Sequence, residues 1–155
     1  MGDTLDIHAA SDEERRAAYA NVHDVWSRGL PLEEHLERRS NAPAHQWARW
    51  YVGTLAGEVV TSLGAYPVEF YVRGRQVPGI AIGSVHTLAK ARGQGYAPRL
   101  LAAVEAAEQE RGATLSVLYS DIRPAYYARL GYVECPAHYA WAEPGTIEPA
   151  GRFEF

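Results

Sequence analysis

Apolar positions along this chain change period several times, and each change marks an element. Leu5-Asp6-Ile7-His8 alternates as a short strand does. Ser11 then offers a helix N-cap, with Asp12, Glu13 and Glu14 where a helix dipole favours acids. Ala18, Val22, Val25 and Trp26 recur at helical spacing, so one helix is predicted over about 12–26, ended by Gly29. Pro31 opens a second, short helix from Leu32 to Arg39, with Leu32 and Leu36 one turn apart, and Ser40-Asn41-Ala42-Pro43 closes it as a loop.

The period then shortens to that of strands. Trp47, Trp50 and Tyr51 lead into Val52 and Leu55, predicting a strand over 46–55 with Gly57 turning the chain back. Val59 to Val72 reads as a long strand, bent or bulged near Gly64 and Pro67, and Arg73-Gly74-Arg75-Gln76 as a turn. Val77 to Leu88 is nearly continuously apolar, the pattern of a central strand buried on both faces. Past a glycine-bearing turn, Leu100, Leu101, Val104 and Ala107 restore the helical period from Pro98 to about Arg111, where Gly112 ends it. Thr114 to Tyr119 is a β-rich run expected parallel to the preceding strand, since a helix joins the two. Pro124 starts a short helix over 125–130, Gly131 stops it, and Tyr132-Val133 begins a strand that resumes at His138 to Ala142.

Composition narrows this to one soluble domain. The 155 residues are 47% apolar and 22% charged, enough for a single sizeable core and too apolar for disorder. One domain over 1–155 is expected, with 143–155 as a loosely held tail. A net charge of −4, from 19 acidic and 15 basic residues, gives no pull toward nucleic acid or an anionic membrane. No run of about eighteen apolar residues occurs, and Met1 to Asp6 is acidic where a secretory signal is basic then apolar, so a cytoplasmic protein is expected. The single cysteine, Cys135, excludes an internal disulfide and reads as a small buried hydrophobe; six scattered histidines without His-x-x-x-His spacing predict no metal site.

Candidate chemistry centres on Arg92-Gly93-Gln94-Gly95-Tyr96-Ala97, a tight turn between a strand and a helix start. Its glycines permit close backbone approach, and the unpaired amides of the first helical turn make an anion site. No Gly-Lys-Ser/Thr follows, as a nucleotide P-loop needs, and no third glycine completes a dinucleotide fingerprint.

What the turn does match is Arg-x-x-Gly-x-Ala, and by this it resembles the pyrophosphate loop of the GCN5-related N-acetyltransferase (GNAT) superfamily. The resemblance extends over nearly the whole chain. It implies an α/β (α+β) GNAT fold: a central mixed, mostly antiparallel sheet with flanking helices and a splayed parallel strand pair holding acetyl-CoA. By the same resemblance Gly93, Gln94, Gly95, Tyr96 and Ala97 face the pyrophosphate through backbone amides, with Arg92 adding charge and Arg99 as a further phosphate candidate. Ser84-Val85-His86-Thr87 is similar to the superfamily's fourth strand, where Val85 and Thr87 would meet the pantetheine arm and an amide would polarise the thioester carbonyl.

Pro124 to Tyr132 resembles the family's aromatic-Tyr-x-Lys/Arg-x-Gly-aromatic segment. This implies Tyr127, near the cofactor's sulfur, as general acid, a phenol with an ordinary pKa of about 10 being able to donate at neutral pH. The strand positions where many members carry a base are Ala81 and Gly83 here, leaving His86, Glu69 and Asp121, a water relay, or an amine that arrives already neutral. Trp26, His35, Tyr66, Phe70, Tyr119 and Trp141 are possible pocket lining. Leu118 to Ile122, Val85 to Thr87 and Trp26-x-x-x-Leu30 with Arg38 or Arg39 downstream are similar to the fungal lysine N6-acetyltransferase group and its bacterial relatives. The resemblance implies acetyl transfer to the primary or secondary amine of a small molecule, such as an amino acid, amine metabolite or antibiotic, and admits a homodimer. A non-catalytic acyl-CoA-binding module and a protein N-terminal or lysine acetyltransferase stay open as alternatives.

Overall fold

The computed structural model describes residues 4–120 and 122–136. These belong to two compact units, one running to Tyr119 and the other beginning at Ser120. The first unit is built on five strands, β1 (Asp6–Ala9), β2 (Arg49–Leu55), β3 (Glu58–Val72), β4 (Arg75–Thr87) and β5 (Leu115–Leu118), ordered in space as they are in sequence. All neighbours pair antiparallel except β4 and β5, which run parallel. The mixed, mostly antiparallel sheet is therefore as expected. The middle strand is β3, however, and β4 lies one place from the edge: only Gly79, Ile80 and Ile82 of β4 are buried, and its last five residues are half-buried.

Helices α1 (Asp12–Asn21), α2 (His23–Trp26), α3 (Leu32–Asn41) and α4 (Pro43–Trp47) precede β2. Ser11 caps α1 in a full capping box with Glu14. The single helix expected over 12–26 breaks at Val22, where the backbone leaves helical geometry and Asn21 turns its amide to the Val59 carbonyl. The loop expected after Arg39 is instead the end of α3 followed by α4, with Pro43 at the start of the latter, so Gln46 and Trp47 are helical and β2 begins at Arg49.

Both faces of the sheet are covered. On one, Tyr19 of α1 and Leu36 of α3 pack with Ala48 and Trp50, and Ala18 packs with Val52 and Val59. On the other, Leu5, Val60 and Ala91 form a cluster joined by Leu88 and Tyr96. There α5 (Tyr96–Glu110) buries Leu100, Leu101, Val104 and Glu108. In the second unit α6 (Pro124–Ala128) holds Tyr127. Tyr132 and Val133 form no strand, which corrects the expectation there, and the resumption expected at 138–142 lies outside the described residues. Among the described residues no helix is long and apolar enough to cross a membrane, and no group of three or more His, Cys, Asp or Glu is placed to hold a metal.

Candidate active site

The sheet opens where β4 outruns β5. Parallel pairing runs from Gly79 opposite Leu115 to Ile82 opposite Leu118 and stops there, while β4 continues to Thr87. On the β3 side the register also breaks, since Ser62 faces His86 and Gly64 faces Gly83, so β4 carries one surplus residue. This is a bulge in β4, one strand over from the bend expected near Gly64 and Pro67. Ser84 sits in it at φ +53°, a left-handed conformation that costs a non-glycine residue about 1–2 kcal/mol.

The bulge decides which backbone groups are free. Leu88 N–H donates to Val60 at 2.9 Å, and His86 lies opposite Ser62 two places back along the same ladder. Antiparallel alternation therefore turns the peptide groups of Thr87 away from β3, to the side β5 has vacated, while Val85 lies in the bulge without a register partner on β3. Thr87's carbonyl is taken: Arg92 Nε donates to it at 3.0 Å. That bond ties the end of β4 to the glycine turn and leaves the outer guanidinium nitrogens of Arg92 facing solvent.

The turn itself presents an uncapped helix. Gly93 and Gly95 have φ +77° and +73°, Gly95 occupies the N-cap of α5, no side chain caps the helix and its first turn carries no acid. Open space surrounds both glycines where a Cβ would point. Arg92 and Arg99 are exposed nearby in sequence, and Lys90 is paired with Glu58 at 2.7 Å. Amides without a partner among the described residues, a positive helix end and two arginines that form no ion pair among those residues suit a diphosphate.

On the face of the sheet that carries α1 and α3, aromatic and basic side chains converge on the bulge. Tyr66 lies over Gly64 and Gly83, where an added Cβ at either would come within 3.1 Å of its ring. The strand position lacking a base is thus space used by a phenol. Burial pushes the Tyr66 hydroxyl up, opposed by its hydrogen bond to Ser84 and by Arg39. Arg39 Nη2 donates to Ser84 Oγ at 3.0 Å, and its guanidinium lies 5.2 Å from the Tyr19 ring centre and 5.7 Å from that of Trp26. Trp26 in turn meets the His86 ring edge-on at 6.2 Å. Burial, then the charge of Arg92, pull the His86 pKa below its ordinary value, so the ring is neutral and able to accept a proton near pH 7.

Of the residues expected at the site, Trp26, Tyr66 and His86 are brought together. Phe70 is one full turn of the pleat and more along β3, its ring against Gly79, and Glu69 lines a hollow with Arg49, Pro67, Pro78 and Arg111 on a different part of the sheet. Tyr119 is 86% exposed. His35 is 3% exposed and donates from Nε2 to the Tyr19 carbonyl at 3.0 Å, a core role. Asp121 and Trp141 lie outside the described residues. Cys135, expected to be buried, is exposed. In the second unit Tyr127 is buried, edge-on to Tyr126 at 5.0 Å and to Tyr132 at 5.8 Å. Burial raises its phenol further, with Ser120 opposing, so it stays protonated at neutral pH.

Sequence reasoning left Arg38 and Arg39 undivided and passed over Ser84 as a site residue. The signal for Arg39 was present: Leu32, Leu36 and Arg39 share one helical face with His35, whereas Arg38 faces out and pairs with Glu34 at 2.8 Å. Ser84 carries no such mark, because a left-handed serine looks like any other in a strand sequence.

Comparison with known proteins agrees with this geometry. Residues 6–135 match the acetyltransferase (GNAT) domain family model, and the chain belongs to that family. It is an acyltransferase. No curated protein matches the sequence significantly. Among solved structures, it is similar to glucosamine-6-phosphate N-acetyltransferase from Arabidopsis thaliana, at 12% identity over 91% of this chain and 99% of that one, with a TM-score of 0.68. It is also similar to an aminoglycoside 6′-N-acetyltransferase from Acinetobacter haemolyticus, at 17% identity over 89% and 97%, TM-score 0.69. A third is a predicted acetyltransferase from Clostridium acetobutylicum solved with acetyl-CoA, at 12% identity over 90% and 96%, TM-score 0.68.

Proposed function

We propose that this acyltransferase moves an acetyl group from acetyl-CoA to a primary or secondary amine of a small molecule by direct transfer. The observation that carries the reading is the β4 edge that no strand among the described residues pairs beyond Ile82 on the β5 side, leading straight into the uncapped start of α5. Acetyl-CoA supplies the activated thioester. The amides of Gly93, Gln94, Gly95, Tyr96 and Ala97 receive its diphosphate, with charge from Arg92. Val85 offers both its peptide groups to the pantetheine arm and Thr87 its N–H alone, its carbonyl being held by Arg92. A strand N–H donates to the thioester carbonyl, and holding amine and thioester side by side removes the entropy of bringing them together.

His86 takes the proton of the incoming amine, and Tyr127 donates one to the departing sulfur. Trp26 and Tyr66 wall the acceptor side. The similarity to the fungal lysine N6-acetyltransferase group adds weight to an amino acid or small amine over a protein acceptor.

Incubation with acetyl-CoA and a panel of amines, followed by free thiol, tests this. Thiol release with at least one small amine is expected. Tyr127→Phe should lower kcat by about a hundredfold or more, the usual scale of general acid catalysis, with acetyl-CoA affinity nearly unchanged in a binding titration. Cofactor binding without thiol release from any amine would overturn the reading.

A further inference from the structure

Among the described residues, Arg39 is the half-buried arginine with no counter-ion. Arg15, Arg16, Arg38, Arg49 and Arg111 all approach carboxylates within ion-pair distance. Arg39, held between Tyr19 and Trp26, meets among the described residues only the Ser84 hydroxyl by hydrogen bond. Among the described residues its buried Nε has no hydrogen-bond partner and nothing accepts from Nη1. Burial lowers its pKa, yet a guanidinium starts so high that it keeps its charge. Two neighbouring bases do not add to it: burial pulls His35 and His45 down, and Arg39 itself pulls both further, so they are neutral near pH 7.

A permanent charge removed from water without an anion is costly, and proteins keep such a group mainly where something brings the anion. The aromatic faces soften that cost and do not cancel it. Position adds direction: Arg39 bonds the bulged Ser84, and Trp26 touches both Arg39 and His86. The charge therefore stands one aromatic ring away from the group that takes the amine's proton.

Resting on the acetyl-transfer reading above, we infer that the acceptor amine carries an anionic group, a carboxylate or a phosphate, which pairs with the free edge of the Arg39 guanidinium while the amine faces His86. Polycationic acceptors are disfavoured at such a site by like-charge repulsion. A role confined to bracing the Ser84 bulge would leave acceptor charge without effect.

Two matched pairs separate the sources of the anion: L-lysine against cadaverine for the carboxylate, and glucosamine 6-phosphate against glucosamine for the phosphate. Wild-type kcat/KM should favour the anionic member of one pair by about tenfold or more, the scale of a charge-assisted hydrogen bond. Arg39→Gln should bring that ratio close to one, chiefly through KM, and Arg39→Lys should keep part of it. Retained acetyl-CoA affinity confirms that the variants are folded. A wild-type ratio near one in both pairs, or a preference that survives in Arg39→Gln, would sink the inference.

The same probes decide the matter without turnover. L-lysine or glucosamine 6-phosphate should raise the wild-type Tm, and Arg39→Gln should abolish the rise. If acetyl-CoA binds and the anionic probe shifts Tm but no amine yields thiol, the acetyl-transfer reading fails while the anion site stands. Without any Tm shift or kinetic preference, the anion site fails by itself.

Discussion

Glu108 shows how a charge can be buried usefully in this fold. It sits on the inner face of α5 at 0% exposure, yet three groups meet it: Arg49 donates from both Nε and Nη2, and the Tyr51 hydroxyl donates at 2.7 Å. Burial alone would raise its carboxyl, but the hydrogen bonds of Arg49 and Tyr51 prevail and hold it below the ordinary carboxylate range. The bond strands β2 to α5 and so fixes the helix whose start carries the glycine turn. Arg39 is the counterpart, a half-buried charge whose partner the described residues do not supply. Because Arg49 is partly exposed, screening trims the pair's worth. Glu108→Gln keeps the shape and removes the charge, and it should lower the unfolding free energy by roughly 2 kcal/mol, read by urea denaturation.

At the scale of elements, α5 offers an internal control for the cofactor turn. Gly95 at its start and Gly112 beyond its end both have positive φ, +73° and +101°, and both have open space where a Cβ would go. Alanine at either position should cost about 1 kcal/mol of stability, since only backbone strain is added. Gly95→Ala should also weaken acetyl-CoA binding in a titration, whereas Gly112→Ala should not; equal affinities would remove the turn from the cofactor site. The turn was legible in sequence because glycine is the residue a left-handed backbone selects, and the strand-helix-strand order around it followed from period alone. The β4 bulge was not, because its strained residue is a serine and the surplus is visible only against β3. Likewise Gln46 and Trp47, the end of α4, read as the start of β2, since aromatic residues such as Trp47 and Trp50 suit strands wherever no partner is known. Trp47 is in fact an exposed helical residue.

The molecule as a whole carries a pH dependence set by histidines kept neutral inside it. His35 donates to the Tyr19 carbonyl and has Arg39 and His23 nearby; His45 donates from Nδ1 to the Arg39 carbonyl at 3.0 Å and packs edge-on against Trp50. Burial lowers both pKa values, and Arg39 adds to the shift. His86 moves in the same direction. The unfolded chain therefore binds these protons first, beginning near the ordinary value of about 6.5. Between that pH and the depressed folded values, the unfolded state holds more protons, so stability falls as pH falls and is fully present above about 7. The carboxylates Glu14 and Glu108, also depressed, act in the same sense at lower pH. Each histidine contributes up to about 1.4 kcal/mol per pH unit inside its window. Denaturant unfolding of the wild type at steps between pH 7.5 and 5 should show this decline. His35→Gln, which keeps a donor for the Tyr19 carbonyl and cannot titrate, should flatten the slope by one histidine's share, even if it lowers stability at pH 7.5. A slope unchanged by that substitution would mean that His35 is not held neutral in the core.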